Sequence, residues 1–191
     1  MKEEDYKKQL TDYIAERVPI NDQEKKLIAD AYSLVSIKKK AFLFEPGTIC
    51  SVEVFVVEGS FRVFYVDQKG LEHVLYFAFK NWWAGNSGQP SFLSCQALEE
   101  SKVLMIDSDK KEKLLAEVPR LERLFRIILQ NHLIVLQKRF LLTVSANAAE
   151  RYQELITRHS GIEQLVPQHQ IASYLGILPE SLSRMKKQML K

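Results

Sequence analysis

The sequence predicts an α+β protein in which N-terminal helices lead into an antiparallel β-roll of jelly-roll type, followed by one long helix and a C-terminal helix-turn-helix. Three observations carry this prediction. Hydrophobic spacing is helical up to about Val35, changes to short β-rich runs as far as Ile106, and returns to helical spacing from Asp107. Residues 121 to 144 then hold the longest helical pattern in the chain. Finally, Val166 to Lys191 reads as two short helices meeting at a glycine turn.

Residues 4 to 17 place Leu10, Tyr13 and Ile14 on one helical face, and residues 21 to 35 do the same with Leu27, Ile28, Ala31 and Leu34. Pro19 separates the two, and Asn21 or Asp22 is suited to cap the second. The β-rich runs are Ala41 to Phe44, Val52 to Val57, Phe61 to Val66, His73 to Phe79 and Val103 to Ile106. Turn signals punctuate them at Pro46-Gly47, Glu58-Gly59, Asp67 to Gly70 and Gly85 to Pro90. Many short strands at this spacing indicate a jelly-roll or barrel.

Asp107 to Glu117 reads as a helix, and Pro119 precedes the long one. Its apolar residues, including Leu121, Leu124, Phe125, Ile128, Leu129, Leu133, Val135, Leu136 and Phe140, are too many for a single stripe, so it must pack against two things. The roll is one. The same helix of a second subunit is the other, with Leu121, Leu124, Phe125, Ile128 and Val135 as the expected dimer interface, the alternative being a helix buried wholly within one subunit. Ser145 sits where an N-cap belongs, followed by a helix from Ala146 to His159 with Ala149, Tyr152, Leu155 and Ile156 inward. These boundaries divide the chain into residues 1–118 (helices and roll), 119–144 (dimerisation helix) and 145–191 (helix-turn-helix).

In the last segment Ile171, Ala172 and Leu175 form a short apolar face, Gly176 supplies the left-handed residue that ends a helix, and Pro179 suits the first turn of the next. Leu182, Met185 and Met189 are expected inward. Glu180, Ser181, Ser183, Arg184, Lys186 and Lys187 are expected outward, a pattern suited to a helix in the major groove of double-stranded DNA. Glu180 and Arg184 are one turn apart and fit base-edge reading, while Gln168, His169, Ser181, Lys186 and Lys187 fit backbone contacts.

The chain has 191 residues, 46% of them hydrophobic and 27% charged, with a net charge of +3. It is no nonspecific polycation, so a nucleic-acid surface must come from local placement. From Val166 onward Arg184, Lys186, Lys187 and Lys191 face only Glu180. Cys50 and Cys95 are far apart, without the spacing of a disulfide framework, a zinc knuckle or an iron–sulfur site, and His73 and His132 are isolated, so no metal or haem is expected. Lys2, Glu3, Glu4 and Asp5 precede the first apolar run, unlike a signal or transit peptide. No stretch has the roughly 18 apolar residues of a membrane span, and the expected location is the cytoplasm.

A roll, a long helix and a helix-turn-helix in this order resemble the Crp/Fnr family of bacterial transcription regulators. The most specific stretches are Phe55-Val56-Val57-Glu58-Gly59-Ser60-Phe61-Arg62-Val63, Gln96-Ala97-Leu98-Glu99-Glu100-Ser101 and Ile171-Ala172-Ser173-Tyr174-Leu175-Gly176-Ile177. The resemblance implies a cyclic-nucleotide-binding-like roll that senses a signal and a C-terminal domain of winged-helix type. It also implies a homodimer reading a palindromic operator, with RNA polymerase as a further partner. Nucleotide-binding members carry a cassette from Gly-Glu, for the ribose, to Arg-Ser or Arg-Thr, for the cyclic phosphate. Here Gly85 is followed by Asn86, and Ser91-Phe92-Leu93-Ser94 puts an apolar residue where the guanidinium belongs. The segment to Ala97 is also shorter. A buried phosphate without its bidentate cation is uncompensated, which argues against cyclic AMP and leaves the effector open. Any ligand pocket would involve Arg62, Gly85, Asn86 and Phe92, although Arg62 on its strand is expected to be solvated.

Two other readings compete. A metal-dependent enzyme sharing the roll shape would need paired histidines where Glu53 and Phe55 stand. With no nucleophile-elbow pattern either, no enzyme is expected, and Glu53 is taken as a solvated strand residue. The second is an interaction or small-molecule-binding module that no longer binds DNA. Leu178 occupies the N-cap position before Pro179, where family members place Thr or Ser, and a missing cap costs about 1 kcal/mol. For Glu180 and Arg184 the competing role is a surface salt bridge at i,i+4.

Overall fold

The computed structural model describes residues 2–85 and 90–189. The element order is α1 (Glu3–Ala15), α2 (Asp22–Ala31), β1 (Ser33–Ile37), β2 (Phe42–Phe44), β3 (Val52–Glu58), β4 (Phe61–Val66), β5 (Glu72–Ala78), β6 (Trp83–Gly85), β7 (Ser94–Ala97) and β8 (Ser101–Asp107). Then come α3 (Ser108–Glu117), α4 (Leu121–Ser145), α5 (Ala148–Arg158), α6 (Ile162–Leu165), α7 (Gln168–Leu175) and α8 (Pro179–Met189). The chain is α+β. Among the described residues its C-terminal part contains helices alone, without the strand pair that a wing would require.

Two four-stranded antiparallel sheets form the roll, ordered β1-β8-β3-β6 and β2-β7-β4-β5. Between them Val54, Val56, Phe61, Val63, Ala78, Cys95, Ala97 and Val103 make an apolar filling. The first sheet is covered outside as well: Phe55, Val57, Trp83, Leu104 and Ile106 pack against Tyr6, Leu10 and Ile14 of α1, Ile28 of α2, Leu114 of α3 and Leu121, Leu124 and Ile128 of α4. Both faces of β3 are therefore dry, which explains why Val52-Glu53-Val54-Phe55-Val56-Val57 reads as an almost continuous apolar run rather than an alternating one.

The second sheet is covered by the C-terminal helices. Its register slips between Val63 and Phe64 against β5, so that Val63 faces Tyr76 and Phe64 faces Val74, with Leu75 as the extra residue. A bulge changes which side chains share a face. Val74 and Phe77, three positions apart, consequently both join Phe64 and Leu98 in a cluster with Tyr152, Leu155, Ile162, Val166, Ile171, Ala172, Leu175 and Leu182. The layers run from N-terminal helices through two sheets to the helix-turn-helix.

Several boundaries differ from the sequence reading. The second helix stops at Ala31 and Leu34 lies in β1, because Ser33–Ile37 pairs with β8 instead of continuing the helix. Ser145 is the last residue of α4, its hydroxyl donating to the Leu141 carbonyl at 2.7 Å. The cap of α5 is Asn147. Its Oδ1 accepts the Ala149 and Glu150 N–H groups, and the Glu150 carboxylate accepts the Asn147 N–H in return. The short strands β6 and β7 were not foreseen.

Gly59, with φ +88°, turns β3 into β4, and a Cβ there would lie 2.5 Å from Ser101 Cβ and 2.8 Å from Ser101 Cα. Gly47 has φ +80° but open space around it. Gly47→Ala should cost about 1 kcal/mol from the left-handed backbone alone. Gly59→Ala should cost at least about 2 kcal/mol, because β8 backbone must also move. Urea midpoints of the two variants measure the difference, and equal losses would mean that Ser101 gives way freely.

Candidate nucleic-acid interface

The helix-turn-helix is built on Leu182 of α8 and Ile171, Ala172 and Leu175 of α7, all buried, with Ile177 and Met185 packed at the edge. Gly176 at φ 68° ends α7, as its placement requires. Pro179 opens α8, and Leu178 before it is exposed, its carbonyl accepting the Ser181 and Leu182 N–H groups. Met189, expected inward, is exposed, since the last turn of α8 runs past the helices that bury Leu182.

Glu180, Ser183, Arg184 and Lys187 are exposed on α8, and Ser181 is half-buried. Glu180, Arg184 and Lys187 sit at i, i+4 and i+7, a single helical row. Among the described residues no ion pair joins Glu180 to Arg184, and neither Arg184 nor Lys187 takes part in any other. Gln168 and His169 are exposed on the first turn of α7. Lys186 departs from expectation. Its ammonium is bonded to the Glu163 carboxylate of α6 and lies 5.9 Å from the Tyr152 ring, so it ties α8 to α6. This pair holds Glu163 below the usual carboxylate range, the Lys186 hydrogen bond being the largest cause and the Tyr152 hydroxyl the next.

Contacts that the sequence reading missed fix the unit against the roll. Ser173 Oγ of α7 accepts the Val74 N–H at 3.0 Å and donates to the Glu72 carbonyl at 2.6 Å, occupying backbone groups of the sheet-edge strand β5. Arg139 of α4 donates to the Val74 carbonyl at 2.9 Å and the Tyr174 carbonyl at 3.3 Å, with its guanidinium 4.2 Å from the Tyr174 ring. Arg151 donates to the Ala146 carbonyl at 2.6 Å and the Leu175 carbonyl at 3.0 Å. The only local signal is that Arg139 interrupts an apolar helix; the partners are up to 101 residues distant in sequence.

The residues expected to line a ligand pocket do not come together. Arg62, expected to be solvated, is buried on the outer face of the second sheet. Its Nε and Nη2 donate to Gln96 Oε1 at 3.0 and 2.7 Å, Nη2 and Nη1 bond the Glu72 carboxylate, and the guanidinium lies 4.1 Å from the Phe64 ring. Burial of a guanidinium demands such partners, and β4 pairing with both β5 and β7 supplies them. Gly85 lies on the other sheet, packed against Val52 and Glu53. Phe92 is 71% exposed, and Asn86 lies outside the described residues. Leu93, next to Phe92, packs into the apolar filling of the roll.

Other expected sites change as well. Glu53 is largely covered rather than solvated. Lys111 Nζ donates to its Oε2 at 2.6 Å, while Oε1 is buried without a partner among the described residues, and burial raises its pKa against the lowering influence of Lys111. Cys95 is buried, and desolvation, with Cys50 adding to it, pushes its thiol up to about 12. Among the described residues no group of three or more His, Cys, Asp or Glu side chains is arranged to hold a metal, and no helix is long and apolar enough to cross a membrane.

Of the expected dimer residues, Leu121, Leu124 and Ile128 are buried in the chain's own core and Phe125 packs against it, because the first half of α4 closes the N-terminal layer. Val135 is half-buried and turns toward β5 and α5. The uncovered apolar side chains lie further along, at Leu129, Leu133, Ile134, Leu136, Phe140, Leu141 and Val144.

Residues 34–118 match the cyclic nucleotide-binding domain model. The transcriptional activator protein Anr of Pseudomonas protegens is 25% identical over 162 residues, 78% of this chain and 66% of the relative. The Anaerobic regulatory protein of Pasteurella multocida is 26% identical over 171 residues, 81% of this chain and 62% of that one. The chain thus spans somewhat under two thirds of the length of the curated relatives it matches. The structure of FixK2 from Bradyrhizobium japonicum has the same fold, with a TM-score of 0.73 at 19% identity over 83% of this chain and 84% of that one.

Proposed function

From its likeness to Crp/Fnr-type regulators in sequence and fold we propose that the chain is a sequence-specific DNA-binding transcription regulator of that family, acting as a homodimer on an inverted-repeat operator. One observation carries the reading: Glu180, Arg184 and Lys187 form an exposed row on α8, and among the described residues Arg184 and Lys187 are engaged in no ion pair. Cationic side chains left unneutralised on one helix face suit a polyanionic partner. Arg184 is suited to guanine and Glu180 to cytosine N4, with Gln168, His169, Ser183 and Lys187 as backbone contacts. RNA polymerase is a further partner of such a dimer. The working division places sensing in residues 1–118, dimerisation in 119–144 and DNA reading in 145–191.

The dimer seam is the second half of α4. Leu129, Leu133, Leu136 and Phe140 alternate spacings of four and three residues, the pattern of a coiled-coil seam, and Phe140 is 69% exposed. No cyclic nucleotide is the effector in this reading, since Arg62, the cation that the expected pocket would use, is saturated by Glu72 and Gln96.

Selection from random duplexes should recover an inverted repeat with half-sites about one helical turn apart. Arg184→Ala should then cost about 1 to 3 kcal/mol on that operator and relax preference at one symmetric base pair. Lys187→Ala should weaken all duplexes alike and flatten the salt dependence. Equal specificity after Arg184→Ala would favour a module that does not bind DNA. Light scattering tests the seam: Phe140→Asp should shift the mass from dimer toward monomer, and a monomeric unsubstituted chain at micromolar concentration would refute the dimer. Calorimetry with cyclic AMP or cyclic GMP should give no saturable heat up to about 1 mM; micromolar saturation would mean that Arg62 exchanges its partners for phosphate.

A further inference from the structure

A cavity of about 370 Å³ lies where β5, the middle of α4, α5 and α7 meet. That volume is within the range of small-molecule sites. Its apolar walls come from Tyr76, Phe77, Trp82, Val135 and Tyr174, and the charged side chains lining it are Lys138, Arg139 and Arg158. Among the described residues no Asp or Glu lines it. Glu154, which pairs with Arg158, stays outside the lining.

Three further observations point to a missing partner. The Trp82 indole N–H is buried and among the described residues has no acceptor. Buried donors are normally paired, so an oxygen supplied by a ligand would relieve it. Arg139 uses Nη2 for the Val74 and Tyr174 carbonyls, and among the described residues its Nε and Nη1 make no hydrogen bond. Lys138 is exposed and joins no ion pair among those residues. Trp82 itself is held flat between neighbours, its ring stacked 5.0 Å from His132 and 5.5 Å from Tyr76. His132 and His159 also line the cavity, and burial lowers the pKa of both, with Arg158 adding to the effect at His159.

We propose that this cavity binds a small amphiphilic anion, an aromatic body carrying one carboxylate. The rings of Trp82, Tyr76 and Tyr174 supply the apolar surface, Lys138, Arg139 and Arg158 the charge, and the Trp82 N–H a directed hydrogen bond. The cavity is walled by the roll, the long helix and the helix-turn-helix together, so its occupant stabilises the docked arrangement of all three. The site goes beyond the DNA-binding reading and is measured without DNA, so either can fail alone.

Calorimetry with 2-naphthoate and its neutral analogue 2-naphthylmethanol tests the site. The acid should bind saturably and about tenfold more tightly than the alcohol, as expected for a charge-assisted contact. Trp82→Phe, which keeps a ring and removes the N–H, should weaken the acid by about fivefold. The Lys138→Gln, Arg158→Gln double variant should reduce the preference for the acid, Arg139 remaining in place, even if Trp82→Phe fails to fold. Absence of saturable naphthoate binding below about 1 mM, equal affinity for acid and alcohol, or an unchanged preference in the double variant would each overturn the proposal.

Discussion

The outer face of the second sheet carries an apolar patch that has to be covered, and the rest of the architecture follows from what covers it. Phe64, Val74, Phe77 and Leu98 cannot be left to water, and the helices after α4 provide Tyr152, Leu155, Ile162 and Ile171 as their cover. The helix-turn-helix is therefore one layer of the fold and not a tethered appendage. Ser173 refines this burial by occupying the Val74 N–H and Glu72 carbonyl of an edge strand, which sets a register between α7 and β5 as definite as that between neighbouring strands. Hydrophobic cover is permissive about orientation, whereas two hydrogen bonds to Glu72 and Val74 of one strand are not.

Local signals were legible and non-local ones were not. The helix-turn-helix shows in the sequence because Gly176, Pro179 and the spacing of Ile171, Leu175 and Leu182 are properties of neighbouring residues. The long helix shows for the same reason. Strand β1 was hidden because Leu34 continues the helical spacing of Leu27, Ile28 and Ala31, and only pairing with β8 decides between the two. Strand β7, Ser94-Cys95-Gln96-Ala97, has little β propensity and exists because β2 and β4 flank it. The direction of α4 was half legible. Its apolar excess announces two partners, but nothing local says that Leu121, Leu124 and Ile128 serve the chain's own core while Leu133 and Phe140 remain uncovered.

Arg62 shows how burial rewrites a residue's role. On an isolated strand it would be a solvated cation. Once β4 lies between β5 and β7, Glu72 and Gln96 converge on it and Phe64 stacks beneath, so that every arm of the guanidinium is engaged. Such a cluster is strongly destabilised by losing one member, because the remainder is left buried and unpaired. Glu72 carries both ends of a connection: its carboxylate holds Arg62 and its carbonyl receives Ser173. The interior of the second sheet's polar cluster and the seat of the helix-turn-helix thus meet in one residue.

Ala146 is the sole residue between the end of α4 at Ser145 and the cap of α5 at Asn147. Its N–H is spent on the Leu142 carbonyl and its own carbonyl on Arg151. A rod of 25 residues, about 37 Å long at the usual rise, therefore meets the reading unit at a joint with essentially one pair of backbone torsions to turn. Were Ser173 and Arg139 to release β5, the angle between the two α8 helices of a dimer would be governed by those torsions alone. In the proposed dimer, a rotation about these torsions would carry each α8 helix out of register with the groove spacing of its half-site. The junction between the long helix and the helices that follow thus rests on the non-helical backbone of Ala146 and Asn147.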